Sequence, residues 1–447
     1  MSKNLIYIIF FLVLLIFFIY GFSVSYTSHN ISNLAYVLAL GIDKGENAKL
    51  KISAQFAKNT ISSENGSSDS SSNNILTACE ADSIFSALNI LNSYIGKEIN
   101  LAHCSVIIFS EEIAKEGLYN EVYSIANNEE IRPSTNFVIS NCSAYDYLNN
   151  TNPIIEKLTT KYFDTFSITS RFTGYFSNIT IGNFFHNLVK GNYDSTAIMG
   201  GLNLTARSEE NKQDSGNNNS SEDSSDSSDT SNRNSSSQNF ENSSNQNVQI
   251  TPDNLIAGSS SIVGKRGNEN LGLAVFNKDK YCGQLTATET ICHLLIANEI
   301  NTCIFTISNP FNENDSIEVQ IIPEKKSKIS SNYDNDNFKF VIDLYLNANI
   351  IDIEKNLNFE DPEVLEKFAT SLTNSLNSKF EKYFKKVSKE YNSDIDKFYL
   401  SILKYFPTQD SLNNLDWKQK YMNSEFSCNI NINININNIS SLLITKS

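Results

Sequence analysis

The stretch Asn33–Phe56, NLAYVLALGIDKGENAKLKISAQF, decides how this chain is read. Leu34–Ile42 is a compact apolar strand, Asp43-Lys44-Gly45-Glu46-Asn47 is a turn, and Lys49–Phe56 alternates Leu50, Ile52, Ala54 and Phe56 with polar neighbours. Successive side chains of a strand point to opposite faces, so the pattern predicts a hairpin with one buried face. A folded, strand-bearing body therefore begins at Asn33.

Upstream lies Leu5–Phe22, LIYIIFFLVLLIFFIYGF, uncharged and preceded by Lys3. About 18 or more such residues are enough for a helix to cross a bilayer's hydrocarbon core. Two readings compete. A cleaved signal peptide has an apolar core of about 7–15 residues followed by a small-x-small site, and Ser23-Val24-Ser25 fits such a site. The run here is longer and stays rich in Ile, Leu and Phe up to Tyr20, which favours a retained transmembrane anchor. Either reading exports the chain, with Lys3 inside and everything after the polar spacer Ser23–Ser32 outside.

Downstream, Ser62–Asn74 is too polar to pack and reads as a solvated loop. From Asp82 the period becomes helical, with Ile84, Phe85, Leu88, Leu91 and Ile95 on one face. Ser105–Phe109 is a buried strand and Ser110 can cap a helix from Glu111. Gly117 interrupts that helix before Leu118–Ala126, and Asn136–Ile139 is the next strand. Strand, helix, strand in this order predicts a crossover between parallel strands. A further helix starts at Ala144.

Arg207–Gln249 is nearly free of apolar side chains and cannot offset its ordering entropy. This divides the chain into an anchor or signal segment with its spacer (1–32), a first domain (33–204), a disordered Ser/Asn-rich insert (205–260) and a second domain (261–447). In the last, Leu271–Phe276, the turn Asn277–Lys280 and Tyr281–Leu285 precede a capping box, Thr286 with Glu289, that starts a helix reaching about Ala297. Ile304–Ile307, Ile317–Ile321 and Phe338–Ile350 should form one antiparallel sheet with a wet face.

Asp361-Pro362-Glu363 opens the longest helix: a cap, a proline where its missing donor costs nothing, and an acid suited to the dipole. Leu365, Phe368, Leu372, Leu376, Phe380, Phe384, Val387 and Tyr391 form its apolar stripe, which must lie on the sheet. A shorter helix, Ile395–Tyr405, ends before Pro407. Phe426–Ile436, FSCNINININI, alternates strictly and should pair with the Phe338 strand, its Asn face in water. The expected fold is mixed α/β of the α+β kind: several subdomains, an N-terminal anchor or signal helix, and a C-terminal sheet packed by a long helix.

Composition restricts function. The chain has 447 residues, 35 Lys+Arg against 50 Asp+Glu, a net charge of -15 and no basic stripe, so nucleic acid is not a partner. Seven cysteines (79, 104, 142, 282, 292, 303 and 428) occur without a CxxC pair and read as small buried hydrophobes. The four histidines are far apart and lack metal-ligand spacing. Cys292 and His293 adjoin on a helix, where neighbours do not face each other, so nucleophilic activation is not expected. Glu111-Glu112 and Glu129-Glu130 are explained as solvated charges at helix ends. No phosphate-binding loop, nucleophile elbow or HExxH is present. No catalytic, cofactor-binding or metal-ligating residue is therefore named, and the chain is expected not to be an enzyme. One corner stands out: Pro133 fixes Arg132 in extended backbone close to Glu129 and Glu130. Glu130, Arg132 and Pro133 are read either as a local salt-bridged corner or as a partner contact.

These features, in order, resemble the Ger(x)C family, the C subunit of bacterial spore nutrient-germinant receptors. The motifs are NLAYVLALGIDKGENAKLKISAQF, SIFSALNIL, LAHCSVIIFSEEIAKEG and EEIRPSTNFVIS in the first part. LGLAVFNKDKYCGQLTATET, DPEVLEKF, the long helix and the terminal alternating strand follow in the second. The resemblance implies a non-enzymatic, membrane-tethered subunit acting with integral membrane A and B subunits at the inner spore membrane, its soluble part outside. Members of the family usually carry an acylated cysteine just after the signal core; here the first cysteine is Cys79. The resemblance therefore implies that a retained Leu5–Phe22 helix takes over the tethering. The competing expectation is an extracellular solute-binding or adhesive surface protein of vegetative cells, which anchor, acidity and spacer suit equally.

Overall fold

The Asn33–Phe56 hairpin forms, but at the middle of a sheet. The structure is a computed structural model describing residues 3–22, 33–57, 74–151, 159–190, 192–203, 252–264, 266–312, 315–353, 358–359 and 361–435. β1 (Leu34–Lys44) pairs antiparallel with β2 (Leu50–Ala57), Ile42 opposite Ile52 and Leu40 opposite Ala54. Its other side pairs in parallel with β5 (Val106–Ser110) and with the short β4 (Glu98–Asn100). Val37, Leu38, Ala39, Leu40 and Ile42 are all buried, so β1 is covered on both faces, as near-continuous apolar strands usually are.

This position corrects the reading of Asp43. It is a buried strand residue, not part of a solvated turn: its carboxylate accepts the N–H groups of Ala144 (2.6 Å) and Tyr145 (3.0 Å) at the start of a helix. Burial holds its pKa above the usual carboxylate value, and the two N–H bonds offset only part of that.

The complete nine-stranded sheet runs β3 (Asn74–Ala81), β2, β1, β5, β6 (Asn136–Ser140), β7 (Thr196–Leu202), β8 (Asn268–Asn277) and β9 (Lys280–Leu285), with β4 beside β1. The expected parallel neighbours β5 and β6 are present. Between them lie α3 (Glu111–Glu116) and α4 (Tyr119–Ala126), separated at Gly117, whose φ of +119° favours glycine. α2 (Ile84–Ile95), α5 (Ala144–Asn149), α6 (Thr159–Asp164), α7 (Phe166–Thr173) and α8 (Ile181–Lys190) complete this part. β3 and β7 were not expected. β8 and β9 join this sheet through antiparallel pairing of β7 with β8, so it takes strands from both sides of residues 204–251. The Ser62–Asn74 loop, except Asn74, and Arg207–Gln249 fall outside the described residues.

The second sheet runs β10 (Cys303–Ser308), β11 (Ser316–Asp334), β12 (Asn337–Ile353) and β13 (Glu425–Asn435). β13 pairs with the Phe338 strand as expected, but in parallel, Phe340 opposite Phe426 and Leu346 opposite Ile432. The crossover from β12 runs through α10 (Pro362–Phe384), whose length carries the chain back to the same end of the sheet. Asp361 caps α10 by accepting the Glu363 N–H at 3.0 Å. Phe368, Leu372, Leu376, Phe380 and Phe384 from the stripe are buried with Phe338, Phe340, Ile342, Leu344 and Leu346 of β12 in one core. The helix widens into a π turn at Lys385–Glu390, which keeps Val387 inside. The Thr286–Glu289 capping box is reciprocal and starts α9 (Ala287–Ala297). The helix expected from Ile395 is shorter, α11 (Tyr399–Ile402) with a 3-10 turn to Tyr405, because the preceding loop is used elsewhere. α12 (Gln409–Asn413) and α13 (Trp417–Asn423) follow.

At the N-terminus, α1 (Lys3–Phe22) forms over the apolar run, with Leu5, Tyr7 and the side chains of Ile9–Phe17 exposed. Side chains at 6, 8 and 18–22 lie outside the described residues. Among the described residues no helix is long and apolar enough to cross a membrane. The anchor expected at Leu5–Phe22 thus rests on sequence alone.

Candidate functional site at the junction of the two sheets

The loop Asn392–Lys397, between the π turn and α11, ties the two halves together. Asn392 and Lys397 take left-handed backbone (φ +45° and +61°), reversing the chain sharply at both ends. Ser393 Oγ donates to the Phe276 carbonyl of β8 at 2.6 Å. The Asp394 N–H donates to Asp194 Oδ2 at 2.8 Å, and the Asp194 N–H returns to the Asp394 carbonyl at 3.1 Å. Asp194 also accepts the Lys278 N–H at 2.8 Å and the Lys418 ammonium. The Asp394 carboxylate accepts the N–H groups of Phe398 and Tyr399, each at 2.8 Å, at the head of α11. Burial pushes the Asp394 carboxyl up to about 7 despite those bonds, and the charges of Asp396 and Asp194 act in the same direction.

Two residues further, Asp396 holds a buried triad. Oδ1 lies 2.7 Å from His293 Nδ1 on α9, and Oδ2 accepts the Tyr383 hydroxyl of α10 at 2.6 Å. Burial alone would lower the His293 pKa; the hydrogen bond and charge of Asp396, then the charge of Glu299, outweigh it and raise the value above the histidine norm. Nδ1–H therefore donates to the carboxylate, and the charged form of the ring is favoured. His293 does not serve Cys292, whose thiol burial pushes well above its usual value.

The triad sits at a cleft of about 640 Å³ between α8, the α9 terminus and the Asn392–Lys397 loop, lined among others by His186, Asp194, His293, Glu299 and Lys397. Its acids are engaged: Glu299 accepts the Ser177 hydroxyl at 2.8 Å, and Asp194 and Asp396 are bonded as described. Lys397 lies over the Tyr193 ring, 5.4 Å from its centroid. Such a polar cleft can hold a small polar molecule or order a loop from a partner. Among the described residues no group of three or more His, Cys, Asp or Glu is placed to hold a metal ion.

Sequence reasoning passed over this site. Asp396 and His293 are 103 residues apart, and no local pattern connects them. The corner singled out instead, Glu130, Arg132 and Pro133, is brought together, but as a clamp on neighbouring backbone. Glu130 accepts the Leu101 N–H at 2.7 Å, and Arg132 donates from Nε (3.0 Å) and a terminal nitrogen (2.5 Å) to the Ala102 carbonyl. The Pro133 carbonyl accepts the Gly182 N–H at 3.0 Å at the start of α8. The three side chains are exposed, and Arg132 forms no ion pair with Glu129 or Glu130 among the described residues. All seven cysteines are free thiols, with Cys104, Cys292 and Cys303 buried and the other four half-buried.

Two sheets joined by a buried polar loop, with a long crossover helix beneath the second, define a two-part α+β protein. A family model described as the spore germination protein N-terminal domain matches residues 27–204. A second, spore germination B3/GerAC like, C-terminal, matches residues 271–439. The chain belongs to the Ger(x)C family of spore germination proteins. Among solved structures it is similar to the crystal structure of the GerBC protein, with 14% identity and a TM-score of 0.48 over 89% of this chain and 96% of that one. Among curated proteins, none matches the chain.

Proposed function

We propose that this chain is the C subunit of a spore nutrient-germinant receptor. In this reading it is tethered at the inner spore membrane by Leu5–Phe22, its soluble part on the outer side, and scaffolds or couples the integral membrane A and B subunits during germination. The observation that carries the reading is the match of both halves, in order, to spore germination family models. In this reading the subunit performs no chemistry, and its exposed Arg132–Pro133 corner and the junction cleft are candidate surfaces for the membrane partners.

Deletion should abolish germination with one nutrient class while growth and sporulation stay normal, and the tagged subunit should co-purify from spore membranes with two multi-spanning proteins. Unchanged germination with every nutrient, in a strain lacking redundant receptors, refutes the role. A mature N-terminus at Tyr26 in membrane extracts refutes the retained tether alone. The cleft also favours a second reading, an extracellular solute-binding protein of vegetative cells. Expression confined to the forespore decides against it.

A further inference from the structure

β13 ends the second sheet, and among the described residues it pairs only with β12. An edge strand presents a row of unpaired N–H and C=O groups, which proteins usually blunt with lysine, proline, a bulge or an inward charge. β13 has none of these after Glu425: Phe426–Asn435 carries no charge and no proline. The ladder with β12 runs without a shift from Lys339–Glu425 to Asn349–Asn435. The strand is 11 residues long, and at about 3.3 Å per residue that is a rim of roughly 36 Å with no further strand beside it among the described residues. Asn429, Asn431, Asn433 and Asn435 are exposed on one face, while Ile430, Ile432 and Ile434 pack on the α10 core but stay half-buried.

We infer that this edge docks a second copy of the same chain, two β13 strands pairing antiparallel about a two-fold axis to make one eight-stranded sheet. The reason is the sequence of the rim. Directly opposite residues of an antiparallel pair share a face, and NININ reads the same in both directions. With the axis at Ile432, isoleucine meets isoleucine and asparagine meets asparagine at every pair from Asn429 to Asn435; with it at Ile430 or Asn431 the outer isoleucines meet Cys428 or Phe426, which lie on the same apolar face. A foreign strand must supply a matching alternation; this strand is its own complement. An axis perpendicular to the sheet also places both α10 helices on one face, where they continue the cover over the half-buried isoleucines.

Charge points to the same rim. Two copies each carrying a net charge of -15 repel, and an uncharged stretch is where they meet at least cost. The one acid at its end, Glu425, is already paired with Lys339 at 2.9 Å. A single strand pair is a small interface, so the association is reversible and depends on concentration.

The test uses the full chain in detergent. Light scattering corrected for detergent should give a dimer that dissociates on dilution. Mild oxidation of the single variants Asn429→Cys, Asn431→Cys and Asn433→Cys should yield linked dimer fastest at the position nearest the axis, and faster there than for Ser93→Cys on the exposed side of α2. The double variant Asn429→Lys/Asn433→Lys places two like charges from each copy along the joined rim, directly opposite one another with the axis at Asn431 and at neighbouring positions in the other registers, without touching the core. It should be monomeric with an unchanged unfolding midpoint. A monomer at every concentration, a dimer that survives the lysine pair, or crosslinking no faster than the Ser93→Cys control would overturn the proposal.

Discussion

Replacing Asp396 by asparagine removes one charge from the junction triad while keeping its shape. The carboxylate accepts from His293 Nδ1 and from the Tyr383 hydroxyl at once. Asparagine can still accept from Tyr383 through Oδ1, and its amide can donate to a neutral His293 Nδ1. It cannot satisfy the imidazolium. The folded pKa of His293 is raised, so its stabilisation is fully present below the unfolded histidine pKa and is lost as pH rises through the folded value. A hydrogen bond to a charged group contributes about 1.5–3 kcal/mol, and that is the cost expected at about pH 5.5, below the histidine pKa. At an alkaline pH above the raised folded value, where the wild-type ring has lost its proton, the neutral arrangement should cost under about 1 kcal/mol. Asp394 acts in the same sense, because the Asp396 charge helps raise its carboxyl and the variant relieves that repulsion where Asp394 ionises. Urea unfolding of both proteins at the two pH values measures the difference. An equal loss at both, or a larger loss at alkaline pH, refutes an ionised His293–Asp396 pair.

Asp394→Asn probes the neighbouring acid. Its carboxyl titrates near 7, above the unfolded value of about 4, so this group lowers wild-type stability as pH rises from about 4 to about 7; the variant's melting temperature should vary less between about pH 5 and 7. Phe380→Ala hollows the core under β12 and should cost about 3–5 kcal/mol in denaturant unfolding; a loss below about 1 kcal/mol would show that α10 does not pack as described. Arg132→Glu replaces an exposed clamp on the Ala102 carbonyl and should change stability by about 1 kcal/mol or less, while weakening co-purification with the proposed membrane partners. Normal co-purification would remove the corner as a contact.

What the sequence determined by itself is local. Period-two alternation set the strands around Ile52, Phe340 and Ile432, and helical spacing set the stripe from Phe368 to Phe384. Thr286–Glu289 and Asp361-Pro362 marked helix starts, because caps and periodicities act over one or two turns of backbone. The pairing of the terminal strand with the Phe338 strand was legible too, since both carry the same wet and dry alternation.

Tertiary structure alone decided the rest. Asp43 looked like a turn residue until α5 was placed above it. Asn74–Ala81 became β3 only because the β2 edge was there to pair with, and β8 and β9 crossed to the first sheet because β7 offered an edge. β13 turned out parallel because α10 returns the chain before it. The junction triad is the extreme case: His293, Tyr383 and Asp396 each look ordinary in sequence, and their shared charge and hydrogen bonds exist only once two helices and one reversed loop enclose them away from water.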